Sequence, residues 1–440
     1  MAAVAALGIA GCTGSANSTT ASGSATKGNL TWWGWSPDPT SATQYIKAFN
    51  QAYPNIHVTF KQLQISGYDA GLRPAIASSV GPDVFDVAPG GGIGSVSEYY
   101  QNAVDLSSSV KKALGSDWKS KVAPIGINSL TVKGKLAGLS IGSTFAGNLW
   151  INQAIFNKYG LKAPTTLAQW ASVCSTLASH NQGCFVQGAG QVAFDQDTLQ
   201  SIADSVKPGV WTAASEGKMK WNNPTIVQAL TIWHEMFSDG IMNKGALGLQ
   251  QYPDANNAFL SGKYAMVMMG TWYMQYGTTA GATAAVSAAG VANAKPFDMI
   301  AIPFPDVAGN GNTPSMYGDS DYGLSVNAKS KNQAAAETFV TWLTTSKAGQ
   351  QVVANVLNDI PALNGVQPDW TSLQLVSKTD QQPNLEQLIK TTTTVTEPRL
   401  SSVSSQLAQA IGVAATSVAQ GKASPQQAAA TLQRTATSGD

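Results

Sequence analysis

Asp319 and Asp321, separated by one residue in Tyr317-Gly318-Asp319-Ser320-Asp321-Tyr322, are the carboxylates whose spacing could do chemistry. One residue apart on an extended chain, they share a face of a strand. Three uses are open to such a pair. A calcium loop opens in a similar way, but here the glycine comes too early and no Glu completes the ligand set. A glycoside hydrolase or lyase needs two carboxyls opposed across a scissile bond, and aspartates this close suit that poorly. The third use is a patch that holds hydroxyl groups by short, charge-assisted hydrogen bonds.

Other reactive groups are sparse. His57, His180 and His234 are scattered, and His234-Glu235 starts a zincin-like pattern that fails because residue 238 is Ser. The sequence contains neither a Gly-x-x-x-x-Gly-Lys-[Ser/Thr] phosphate loop nor a Gly-x-Ser-x-Gly nucleophile elbow. Cys174 and Cys184 flank His180, yet no second Cys/His group has zinc spacing. In an exported chain such an isolated pair reads as a disulfide. No metal and no cofactor are expected.

The elements that must position these groups belong to a large, nearly neutral chain. At 440 residues it exceeds the size at which one core stops growing, so two lobes are expected. A net charge of +1 with 12% charged residues argues against a nucleic-acid partner. Abundant Gly and 12 Trp suit an uncharged, polyhydroxylated ligand, because pyranose C–H faces pack on aromatic rings. One stretch shows how a ring could be presented. Ala258 to Leu260 ends a helix, Ser261-Gly262 turns, and Tyr264-Ala265-Met266-Val267-Met268-Met269 is a short apolar run that reads as a buried strand. Gly270 then breaks it and releases Thr271, Trp272 and Tyr273 at the carboxyl end, where open α/β sheets bind ligands.

The first residues set the compartment. A small, apolar start leads to Ile9-Ala10-Gly11-Cys12, which looks like a bacterial lipobox, with Cys12 as the lipidated residue of a signal peptide spanning 1–12. A charged leader region is missing, so the true start is expected upstream. The Ser/Thr/Gly tract over 13–28 reads as a flexible tether. No later run approaches the roughly 18 apolar residues of a spanning helix.

Along the chain, Leu30 to Trp35, Tyr45 to Tyr53 and Ile56 to Phe60 form strand, helix and strand, a βαβ unit with a parallel sheet. The pattern continues through Ser79-Val80-Gly81-Pro82-Asp83-Val84, Gly134-Lys135-Leu136-Ala137-Gly138-Leu139-Ser140 and Leu149-Trp150-Ile151-Asn152. Asp83 is read as a turn carboxylate rather than a catalytic acid. Thr166 caps a helix holding Trp170, and Trp221-Asn222-Asn223-Pro224 precedes another from Ile226 to Phe237. Ala334 to Leu343 is helical, Glu397-Pro398-Arg399 starts the terminal helices, and Ser424-Pro425 opens the last one. Together with Phe-x-x-Gly-Lys-x-Ala-Met-x-x-x-Gly-x-Trp over 259–272, this order resembles the extracellular solute-binding proteins of ABC importers. Those are carbohydrate-binding lipoproteins of the broad group that contains maltose-binding protein. The likeness runs from about residue 29 to 435.

The resemblance implies an α/β, two-lobed periplasmic-binding-protein-like fold of type II, each lobe a mixed sheet flanked by helices. Lobe 1 would comprise 29–141 and 320–358, and lobe 2 146–317 and 362–440. A three-segment hinge is expected near Ile141–Ala146, Gly318–Ser320 and Asn358–Ala362. The implied function is reversible capture of a mono- or oligosaccharide by hinge closure and delivery to membrane permease subunits. Such a monomer would be lipid-anchored on the outer face of the cell membrane. A surface glycoside hydrolase or lyase and a carbohydrate adhesin are the alternatives. Trp35, Phe145, Phe194 and Trp272 are expected as sugar platforms, with Asp195, Asp319 and Asp321 holding hydroxyls. Gln64 and Gly90 are expected as strand-end ligand contacts of lobe 1.

Overall fold

The computed structural model describes residues 24–78, 80–290 and 294–438. Cys12, the segment 1–12 and most of the tether 13–28 therefore lie outside the described residues. Residues 24–28 of that segment are described. Ser24 and Lys27 close a turn through two backbone hydrogen bonds of 3.1 and 3.3 Å, and Gly28 is already paired in the first strand.

That strand, Gly28–Gly34, is an inner strand of a five-stranded sheet. It pairs in parallel with Ile56–Gln62 on one side and with Val84–Val87 on the other. Gly323–Val326 and Leu139–Ser140 extend the sheet antiparallel. The helix Pro39–Ala52 connects the first two strands. Asp38 caps it by accepting from the backbone N–H groups of Thr40 and Ser41, and Pro39 occupies the first position, where a missing N–H costs nothing. Its inner face inserts Phe49 against Phe339 of the helix Gln333–Thr345, ring centroids 5.0 Å apart. Sequence-distant segments thus share one core.

The second lobe is built on a four-stranded sheet in the order Met299–Pro303, Asn148–Asn152, Tyr264–Met268, Gly183–Val186. Tyr264–Met268 is the buried strand expected from its apolar run. Helices Leu167–Ser179, Pro224–Ser238, Ser405–Ala419 and Pro425–Ser438 contribute to its core. Among them lies Val192–Val206, buried continuously from Phe194 to Ser205 although most of those residues are polar. Buried polar side chains seek partners, and several on this helix find them on other elements. Ser201 hydroxyl meets the Tyr317 hydroxyl at 2.9 Å, and Ser205 donates to Asp306 at 3.0 Å.

A third sheet joins the lobes. Gly142–Ala146 is its middle strand, with Tyr317–Ser320 and Ile360–Pro361 antiparallel on either side. The Ala/Gly stretch after Trp272, hard to place from pattern alone, contains the helix Thr279–Ala288, capped by Thr278.

Cys174 and Cys184 form the disulfide, tying the helix Leu167–Ser179 to the strand Gly183–Val186 inside the second core. Closing so short a loop restricts the unfolded chain and is worth ~2–3 kcal/mol. The double variant Cys174→Ser/Cys184→Ser is expected to lose about that much in urea-unfolding free energy; unchanged stability would show the bond to be idle.

Candidate functional site

Between the lobes lies a cavity of about 950 Å³, near the upper end of the ~300–1,000 Å³ usual for small-molecule sites. Lobe 1 lines it with Trp35 and Gln64, at the ends of its first two strands, and with Asp38. Trp35 stands edge-on to Tyr68, centroids 4.8 Å apart, and is half-buried. The second lobe contributes an aromatic wall. Trp272 follows the buried strand in the 3-10 segment Thr271–Gly277, and its indole N–H donates to the Tyr252 hydroxyl at 3.1 Å. Phe194 stands edge-on to Trp272 at 6.2 Å, and Tyr276 completes the wall.

The carboxylates divide into two groups. Asp319, in the joining strand Tyr317–Ser320, is consumed by the protein. It accepts from the backbone N–H groups of Leu400 and Ser401 at 2.5 and 2.8 Å and from the Ser401 hydroxyl at 2.5 Å. Asp321 accepts from the Thr144 hydroxyl at 3.2 Å and hydrogen-bonds Asp359. Burial pushes the Asp321 carboxyl up to about 6 and drives Asp359 well above the usual carboxylate range, its neighbour's charge adding to the effect. Two carboxyls in contact keep a proton between them. The two aspartates of Asp319-Ser320-Asp321 therefore engage different partners and do not form one patch.

Three expected ligand residues sit elsewhere. Phe145 is core: its ring packs among the apolar side chains of lobe 2, and its N–H donates to the Thr271 hydroxyl at 3.0 Å. Asp195 is 1% exposed and accepts from Gln187 at 3.2 Å, so its position on the buried helix turns it away from the cavity. Gly90 is a contact between lobes. With φ at +75° it adopts a backbone geometry suited to glycine, and a Cβ there would lie 2.3 Å from the Leu400 carbonyl oxygen.

The residue with the largest role that pattern reasoning missed is Arg399. Its segment was expected to start the terminal helices; instead helix Ser405–Ala419 begins behind the cap Ser404, and Glu397–Ser404 crosses the cavity as a strap. Arg399 forms a bidentate pair with Asp197, Nε to Oδ1 and Nη2 to Oδ2 both 2.7 Å, and lies over Trp272 with Cζ 4.6 Å from the ring centroid. The strap reaches lobe 1 where the Gly91 N–H donates to the Val403 carbonyl at 3.2 Å. A signal was present: Arg399 is one of only three arginines in the sequence. Tyr252, in a stretch without periodic pattern, offered none.

Two lobes of mixed sheet are joined by a small third sheet, with a cavity walled by aromatic side chains between them. The chain belongs to the bacterial extracellular solute-binding protein family, whose profile matches residues 33–350. It is 25% identical over 343 residues, 76% of this chain and 74% of the relative, to a multiple sugar-binding protein of Streptococcus mutans serotype c. Its fold is similar to that of a maltose-bound protein of T. maritima, with a TM-score of 0.71, 16% identity, and coverage of 93% of this chain and 99% of that one. An ABC substrate-binding protein of Listeria monocytogenes in complex with cycloalternan gives 0.70 and 18%, covering 94% and 99%. Among the described residues no helix is long and apolar enough to cross a membrane.

The buried acids set a pH dependence. Desolvation raises Asp86, Asp195 and Asp359 well above the usual carboxylate range and Asp204 to about 8, the Glu397 charge reinforcing the last. These groups keep protons in the folded state that the unfolded chain gives up near pH ~4, so stability falls as pH rises from about 4 to about 8. Exposed carboxyls held low, such as Asp369 by its Thr371 and Ser372 hydroxyls, act in the opposite sense only below that window. The urea midpoint is expected to be higher at pH 5 than at pH 8, and a flat or rising profile would contradict these assignments.

Proposed function

We propose that this protein is the substrate-binding component of an ABC importer that captures a saccharide by closing its lobes and hands it intact to a membrane permease. The observation that carries this reading is the cavity, where Trp35 faces the Phe194, Tyr252 and Trp272 wall contributed by the other lobe. Flat aromatic faces with polar groups at their edges suit sugar rings. The sugar-binding relative and the oligosaccharide-bound neighbour support the same class. Trp35, Gln64, Phe194, Trp272 and Asp321 are the proposed ligand contacts; Phe145, Asp195 and Gly90 shape the site from behind it, and Asp319 lines it with its oxygens already engaged by the strap.

The lobes proposed are 29–141 with 320–358 and 146–317 with 362–440, hinged at the three-stranded sheet. The separate apolar cores support this division, one drawing on residues 30–141 and 322–356 and another on 149–307 and 403–432. The family is extracellular, and anchoring through a lipid on Cys12 accords with it. Monomeric action and the absence of catalysis belong to the same reading. Hydrolysis needs carboxyls about 5–5.5 or 6.5–9.5 Å apart across the substrate. Asp319 is occupied by three donors, and Asp321 and Asp359 bond each other.

Calorimetry against a panel of oligosaccharides tests this function. At least one is expected to bind saturably and to be recovered unchanged by mass, and Trp272→Ala is expected to weaken it at least about 30-fold, the ~2 kcal/mol scale of a buried aromatic anchor. Cleaved products would sink the transport reading. Unaltered affinity in the variant would remove Trp272 as a platform.

A further inference from the structure

Arg399 is held in a way that leaves part of it unused. Nε and Nη2 are bound to Asp197, whose side chain is 3% exposed, while the Arg399 side chain is 11% exposed and lines the cavity. Its Nη1 group, with two N–H donors, has no acceptor among the described residues. A guanidinium is a rigid planar fork, so fixing one edge on Asp197 fixes the direction of the other. Trp272 below, at 4.6 Å, and Phe194 at 5.8 Å limit its remaining freedom. The backbone of the same residue is pinned as well: the Gln196 amide donates to the Arg399 carbonyl at 3.1 Å, and Asp319 holds the next two N–H groups.

Resting on the saccharide-binding reading, we propose that Arg399 donates through Nη1 to an acceptor oxygen of the sugar unit at Trp272, that Asp197 is its positioning residue, and that the unit selected there is neutral rather than a uronic acid. The last part follows from charge. Asp38, Asp69, Glu98, Asp319 and Asp321 line the cavity, against two guanidiniums. Arg399 is already balanced by Asp197, and Arg73 is bonded to Glu98 at 2.6 Å. An incoming carboxylate would find no uncompensated cation among the described lining residues and would face Asp321, whose charge is near enough to act on Arg399. The hydroxyl oxygens of a sugar accept from Nη1 without that repulsion, and one of them is the acceptor proposed here.

The test uses the full chain and a panel of malto-, xylo- and chito-oligosaccharides of two to four units, with oligogalacturonides of the same lengths. Wild-type protein is expected to bind a neutral member at least about 10-fold more tightly than any oligogalacturonide, the penalty of like-charge juxtaposition. Arg399→Lys keeps a charge for Asp197 but lacks the second donor edge. It is expected to lose about 10- to 100-fold in affinity, the scale of one charged hydrogen bond. Monodeoxy analogues of the preferred sugar then locate the contact, since one of them should bind wild type and Arg399→Lys equally. The double variant Asp197→Asn/Arg399→Gln, which leaves no unpaired buried charge, should show the same loss if the single variant does not fold. Equal binding by wild type and variant, or a loss identical for every monodeoxy analogue, overturns the contact. Preference for an oligogalacturonide overturns the neutral-unit assignment. If wild type binds no member of the panel, the saccharide reading falls and this inference with it.

Discussion

Asp197 and Asp319 are buried carboxylates from different parts of the chain, and the strap Glu397–Ser404 supplies donors to both. Asp197 projects from the buried helix Val192–Val206 and takes the Arg399 guanidinium; Asp319 projects from the joining sheet and takes the backbone of Leu400 and Ser401. Leaving either charge without its donors would cost several kcal/mol, about 3–5 for a broken buried pair. The strap is therefore bound at two fixed points, and its path over the aromatic wall follows from them. Trp272 acquires its cation, and the cavity one of its boundaries, as a consequence.

The same path links the strap to lobe 1. A Cβ on Gly91 would stand 2.1 Å from the Ser405 nitrogen, so lobe 1 meets the strap through bare backbone. A second link runs from the Ser41 hydroxyl to Gln275 at 3.2 Å and on to Asn358 at 2.6 Å, beside the joining strand Ile360–Pro361. These are short polar contacts at the edge of large separate cores. Contacts of this kind can break and re-form without disturbing either core, which is the arrangement a hinge requires.

How much of this was legible follows from what each element depends on. The strand Tyr264–Met268 and the helices behind Thr166 and Ser424 are specified by local pattern and capping, and the structure has them at those places. The fold class followed from the order of many such segments. Trp272 could be placed toward the cavity because it follows a strand, whereas Phe194 rested on the family resemblance alone. Phe145 and Asp195 could not, because the direction of a side chain depends on which elements pack on each face. Nor could the fate of Asp319, whose donors lie some eighty residues onward. Glu397-Pro398-Arg399 was misread because a proline near the start of a helix and a proline in an extended strap leave the same local signature.

The polar helix Val192–Val206 shows why local rules fail where they do. Amphipathic patterning assumes that buried faces are apolar, yet Asp195, Gln196, Asp197, Gln200 and Asp204 are all buried here. Apolar residues would pack more cheaply in most of these positions, since each buried carboxyl pays for desolvation. What they could not do is bind a segment by direction. Gln196 and Gln200 take the carbonyls of Arg399 and Pro398, and Asp197 takes the guanidinium, so the helix reads the strap along its length. Stability is given up at this helix for the placement of one segment, and that segment borders the cavity. Departures from a locally consistent sequence concentrate where position matters more than burial, and in this chain they lead from Asp197 to Arg399 and to the ring of Trp272.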